Sequence, residues 1–158
     1  MDKTHHYSLS VKWTGNTGQG TRDYRAYNRS HSILVDNKAA IAGSSDPAFR
    51  GDSARHNPEE LFVAAISACH MLWYLHLCAD AGIIVTAYED NATGTMTETA
   101  NGGGRFTEVV LHPAATIANE SMLAKAEELH HAANELCYIA NSCNFPVHHK
   151  PVFKVEAL

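Results

Sequence analysis

A chain of 158 residues, 45% hydrophobic and 18% charged, has the composition of one soluble globular domain, residues 1–158. Its formal net charge of -5 weighs against nucleic acid and anionic membrane as partners, because its eleven histidines are mostly neutral near pH 7. No apolar run is read as reaching the ~18 residues that cross a bilayer, and no secretory h-region is read in Met1–His6, so a cytoplasmic protein is expected.

Alternation of apolar and polar residues predicts a half-buried strand over Tyr7–Trp13, followed by a Gly/Asn/Thr turn at Gly15–Gly20. Asp23–Asn28 and Ser32–Val35 read as two further short strands, and Ala42–Asn57 as a loop carrying Arg50 and Arg55. Asn57 is then a good N-cap, Pro58 suits the first helical position, and Glu59 and Glu60 favour the positive end of the helix dipole. The helix is predicted to run to about Ala81, with Gly82 just past its end. Between Leu61 and Ala79 it has no Asp, Glu, Lys or Arg, so it is expected to be buried on most sides, covered by sheet and by a partner. Ile83–Glu98 and Phe106–Leu111 read as strands joined through the Gly102–Gly104 turn into a hairpin. A second helix is predicted from Asn119 to about Ala140, with the stripe Leu123, Ala126, His130, Ala133 and Cys137. Pro146 and Pro151 bracket a loop before a last strand, Val152–Val155. The order strands, helix, hairpin, helix, strand implies an α+β fold with antiparallel pairing.

Four cysteines, Cys69, Cys78, Cys137 and Cys143, form no CxxC pair, which argues against a zinc ribbon or a thioredoxin motif. On pattern alone Cys69 and Cys78 read as small hydrophobes in a buried helix. A metal protein is a competing reading, drawing on His70, His76, Cys78, His130–His131 and His148–His149. However, His76 and Cys78 do not share a helical face, and no HExxH is present.

The string Asn57-Pro58-Glu59-Glu60-Leu61, with Ser67-Ala68-Cys69 ten residues beyond Glu59, resembles the OsmC/Ohr family of thiol-dependent hydroperoxide reductases, nearest its OsmC-like branch. The resemblance extends over nearly the whole chain in element order. It implies antiparallel sheets packed around two long helices in an intertwined homodimer, with active sites at the subunit boundary. It also implies that Cys69 is the reactive cysteine. Cys137, 68 residues further on near the end of the second helix, would be the resolving one. Tyr138 stands where the family usually has Pro, and His70 is not the usual neighbour of the reactive cysteine. Cys143 is an alternative resolver.

A peroxide is attacked by a thiolate, so the reactive cysteine needs a cation. Cys69 is too far into its helix for the dipole to supply it. The resemblance implies an arginine held by a glutamate. Arg50, nine residues before Glu59, comes close to the spacing of the OsmC branch, with Arg22 as the alternate and Arg55 a third choice. Ten helical residues separate Glu59 from Cys69 by roughly 15 Å, so within one straight helix they cannot share a site. They can if two copies pack antiparallel about a twofold near Ala64, where Ala64, Ala65, Ser67 and Ala68 permit close approach. The expected cycle is oxidation of Cys69 to a sulfenic acid by an organic hydroperoxide, closure of a Cys69–Cys137 disulfide, and reduction by an external dithiol, which in the Ohr branch is a lipoylated protein. No bound cofactor or metal is implied. Phe62, Met71, Leu72 and Trp73 are candidates for an apolar substrate pocket. The runner-up is the same fold acting on another electrophile, or binding a small apolar ligand without turnover.

Overall fold

The structure, a computed structural model, describes residues 3–157. By its internal contacts the chain divides into two compact units between Leu61 and Phe62.

The first unit is a small antiparallel sheet of β1 (Ser10–Trp13), β2 (His31–Leu34) and β3 (Ile41–Gly43), in the order β1-β2-β3. The strand expected over Tyr7–Trp13 begins only at Ser10. Asp23–Asn28 is not a strand; Tyr27 makes a single bridge to Asn16. The reason is Arg29, whose guanidinium lies 4.2 Å from both the Tyr24 and the Tyr27 ring centres and donates to both their carbonyls, curling the segment around itself. Gly15 is required here, because a Cβ would fall 1.9 Å from the Asn28 carbonyl oxygen. The loop expected over 42–57 contains the end of β3 and a 3-10 helix, Pro47–Phe49, capped by Asp46. The unit ends in the first turn of α1 (Pro58–Asp80). There the Asn57 side chain accepts from the Glu60 N–H at 2.8 Å, and Glu60 accepts from the Asn57 N–H at 3.2 Å. This reciprocal capping box starts the helix where the sequence places it.

The second unit contains the rest of α1 and seven further elements of regular structure. These are β4 (Val85–Asp90), β5 (Thr93–Glu98), β6 (Gly104–Leu111), β7 (Pro113–Ile117), α2 (Leu123–Leu136), β8 (Val147–His149) and β9 (Val152–Val155). Gly82, at φ 72°, closes α1, with Gly82 N–H bonded to the Ala79 carbonyl and Ile83 N–H to that of Cys78. The strands form two three-stranded sheets, β4-β7-β9 and β5-β6-β8. The antiparallel expectation is corrected, since β6 pairs β8 and β7 pairs β9 in parallel. Parallel neighbours need a long crossover, and α2 supplies it for both sheets. The expected hairpin is β5–β6, while the single stretch read over Ile83–Glu98 splits at Asn91-Ala92 into strands of different sheets. Like β3 in the first unit, β7 and β8 were not expected at all.

α2 is shorter than expected. Asn119 caps a 3-10 turn, Glu120–Met122, before it, and it stops at Leu136, leaving Cys137 as an extended C-cap. α1 also departs from expectation in two ways. It is long and apolar enough to cross a bilayer, contrary to the reading that no such run exists. Within one copy it is buried along a single stripe only, Ile66, His70, Tyr74 and Cys78, and Leu72 on another side is 62% exposed. Tyr74 and Cys78 join Ile83, Ala115, Ile117, Ala126, Leu129 and Ala133 in one core cluster, and Ile66 joins Val109 and Leu111 in another.

Candidate active site

Cys69 lies on the half-buried flank of α1, one position before the buried His70. The i+4 spacing puts Trp73 one turn further along the same flank, and i+7 puts His76 at the next. The end of α2 brings Cys137 to this flank, fully buried. There its side chain lies close enough to that of Cys69 for the two thiols to influence each other. Burial, and then the bond to Cys69, push the Cys137 thiol up to about 11, although the Ala140 N–H, 3.4 Å from its sulfur, pulls the other way.

Cys69 opens into an apolar groove of about 510 Å³, lined also by Ala65, Ala68, Leu72, Trp73, Tyr138 and Ile139. Trp73 and Tyr138 meet edge to face at 5.6 Å and form one wall. His76 closes one end, its Nε2 3.5 Å from the Asp80 carboxylate. Of the four residues expected to line a pocket, Leu72 and Trp73 do so, whereas Phe62 packs against Phe106 and Phe145 and Met71 does not reach the groove. Tyr138 and Ile139 were missed as lining residues. The only signal was Tyr138 itself, an aromatic where the family usually has Pro.

The other cysteines are placed differently. Cys143 donates to the Ile139 carbonyl at 3.2 Å and packs with the Ile66, Val109 and Leu111 cluster. Cys78 is buried beside Tyr74, and desolvation raises its pKa. Arg50 and Glu59 belong to the first unit. Arg50 is exposed and has φ 65°, a left-handed conformation that costs a non-glycine residue energy. Among the described residues the ion pairs are Arg55–Asp52, His56–Glu60, His76–Asp80 and Lys125–Glu128, so a single chain does not form the Arg50–Glu59 pair. Arg55, engaged by Asp52 at 3.4 Å, is committed locally, and Arg22 is an exposed turn residue.

The histidines proposed for a metal do not converge on one. Among the described residues no three His, Cys, Asp or Glu side chains are placed to hold an ion. Instead His70 Nε2 and His130 Nδ1 bond to each other at 2.9 Å in the interior. Burial lowers the pKa of His70 to about 4 and that of His130 to about 3, and neighbouring histidines add to both shifts.

Two neighbouring cysteines beside an apolar groove, on a long helix backed by mixed sheets, make this an α+β protein with a thiol-lined groove. Residues 51–151 match the model of the OsmC-like protein family. An OsmC-like protein of unknown function from Vibrio cholerae is 33% identical, with a TM-score of 0.85 over 94% of this chain and 100% of that one. The chain belongs to the OsmC-like family. At 21% identity it also matches an organic hydroperoxide resistance protein from Elizabethkingia anophelis, with a TM-score of 0.66 over 98% of this chain and 100% of the other. A similar protein from Legionella pneumophila is 22% identical, with a TM-score of 0.67 over 96% and 100%. These last two likenesses speak to fold alone. No functionally curated protein sequence matches the chain.

Proposed function

We propose that this protein is a cytoplasmic thiol peroxidase that reduces organic hydroperoxides with Cys69 as the attacking sulfur and Cys137 as the resolver. The observation that carries the reading is a half-buried Cys69 that lines an apolar groove, with the buried Cys137 thiol beside it.

The Cys69 thiolate attacks the terminal peroxide oxygen, the O–O bond breaks, and the alkoxide leaves and takes up a proton to become the alcohol. Cys69 is then a sulfenic acid. The Cys137 thiol displaces its hydroxyl, forming the disulfide and releasing water. An external dithiol, a lipoylated protein being the precedent in the Ohr branch, returns both thiols by exchange. Arg50, oriented by Glu59, would stabilise the thiolate and polarise the peroxide. The single chain does not assemble that pair, so the reading includes a homodimer in which α1 packs on its copy about a twofold near Ala64. That places Glu59 of each copy opposite Cys69 of the other. A second reading, binding or turnover of another small apolar electrophile, draws on the Trp73–Tyr138 wall, which favours a flat apolar guest.

The test is to treat reduced protein with one equivalent of cumene hydroperoxide, block free thiols and map disulfides by peptide mass spectrometry. A Cys69–Cys137 link formed within seconds is expected, and it should be absent from Cys69→Ser. A Cys143 link would move the resolver. A Cys69 that remains a thiol after many equivalents would overturn the peroxidase and leave the second reading.

A further inference from the structure

His70 and His130 are both fully buried, and each keeps one ring nitrogen, His70 Nδ1 and His130 Nε2, with no partner. Stability does not explain that choice. Two apolar rings of similar size would fill the same space without two desolvated, unpaired nitrogens, each of which costs free energy. What the histidines do supply is one directional bond between α1 and α2, His70 Nε2 to His130 Nδ1 at 2.9 Å. Its surroundings hold it in place. The His130 ring is stacked on Tyr74 with centres 3.8 Å apart, and His149 packs against both histidines at 5.6 and 6.2 Å.

The bond is also next to the chemistry. His70 directly follows Cys69 in α1, and its side chain leaves the helix about 100° around from that of Cys69. His130 lies on α2 seven residues before Cys137, the residue that caps the end of that helix. A slip of α2 along its axis, or a rotation of α1, would break the histidine bond and separate the two sulfurs together. Apolar packing has no comparable direction and tolerates such slips at low cost.

We propose that His70 and His130 are a positioning pair that locks the register of α1 against α2 and thereby keeps Cys69 and Cys137 beside each other. This rests on the two-cysteine reading for its purpose, but it is tested through the disulfide itself. Reduced protein is equilibrated in oxidised and reduced glutathione at varied ratio, where each disulfide closed converts one oxidised glutathione into two thiols. The Cys69–Cys137 link is quantified by peptide mapping, giving the effective concentration of one thiol at the other.

His70→Phe, which keeps a ring and removes the bond, is expected to lower that effective concentration about tenfold, the size of one buried hydrogen bond. His70→Gln, whose amide can still donate to His130, is expected to stay within about threefold of the parent. Thermal unfolding of the same variants should not follow this order. If His70→Phe does not fold, His130→Leu takes its place. Closure in the apolar variant equal to the parent overturns the pair. So does equal loss in Phe and Gln that tracks thermal stability, and so does a parent that closes no Cys69–Cys137 link at any ratio. A parent that closes the link in glutathione but ignores cumene hydroperoxide leaves the positioning pair standing and removes the peroxidase.

Discussion

The two long sides of α1 have their polarity inverted. The buried stripe, Ile66, His70, Tyr74 and Cys78, carries two polar rings and a thiol, while the exposed stripe of Ala64, Ala65, Ala68 and Leu72 has no polar side chain at all. A surface helix ordinarily shows the reverse. The inner stripe is complete within one copy, tied to α2 by a hydrogen bond and packed into a core. The outer stripe is complete only when something apolar covers it, and Cys69 lies on the flank between the two. One helix thus serves two kinds of packing, one specified by direction and one by shape and dryness.

The comparison can be broken at the flank first. Cys69→Ser is expected to abolish hydroperoxide-driven disulfide formation and to lower peroxidase turnover at least roughly a thousandfold, measured as hydroperoxide consumed in the presence of a dithiol. On the outer side, Leu72→Glu places a charge where the proposed twofold contact would bury it. The dimer dissociation constant should rise at least roughly a hundredfold, as read by sedimentation velocity, while the circular dichroism of the subunit is unchanged. An unaltered association state would remove the outer stripe as an interface.

The inner side answers to stability. Ile66→Ala opens a cavity in the Val109 and Leu111 cluster and should cost about 2–5 kcal/mol in urea unfolding. The buried histidines add a pH term. Their folded values, about 4 for His70 and about 3 for His130, lie below the ordinary 6.5, so the unfolded chain binds more protons in acid. Their contribution is fully present above pH 6.5 and is lost as pH falls through 4 and then 3. The unfolding free energy from urea titrations should therefore decline over that window, by about a few kcal/mol in all, and His70→Phe should flatten the decline. The smallest effect belongs to the helix start, where Asn57→Ala removes the cap and should cost about 1 kcal/mol.

These effects also sort what sequence alone could and could not reveal. The capping box and the Gly82 stop are local events, completed within a few residues, and both were legible. Cys69 and Cys137 were singled out through resemblance, which carried a spacing that no local rule supplies. β8 was missed because Pro146 and Pro151 read as the ends of a loop, and β7, which begins at Pro113, carries too many small residues to show an alternation. Parallel pairing was missed because partners such as Val109 and Val147 are joined through a whole helix. The His70–His130 bond spans sixty residues and leaves no trace in periodicity, since both histidines occupy positions that an apolar ring would fill equally well. The false strand at Asp23–Asn28 failed for a related reason: a cation stacking on two tyrosines has no period to detect.

The way the strands are dealt out has a consequence for how the second unit is made. β6 and β7 are neighbours in sequence but belong to different sheets, and so do β8 and β9. Each sheet therefore receives its third strand from the same short stretch, Val147–Val155, across the same helix. Neither sheet can mature ahead of the other, and a single truncation before Val147 would bare an edge on both at once, the kind of edge that seeds aggregation. During synthesis Val147–Val155 acts as a common stitch, and an emerging chain that stalls short of it carries two open hems rather than one finished half.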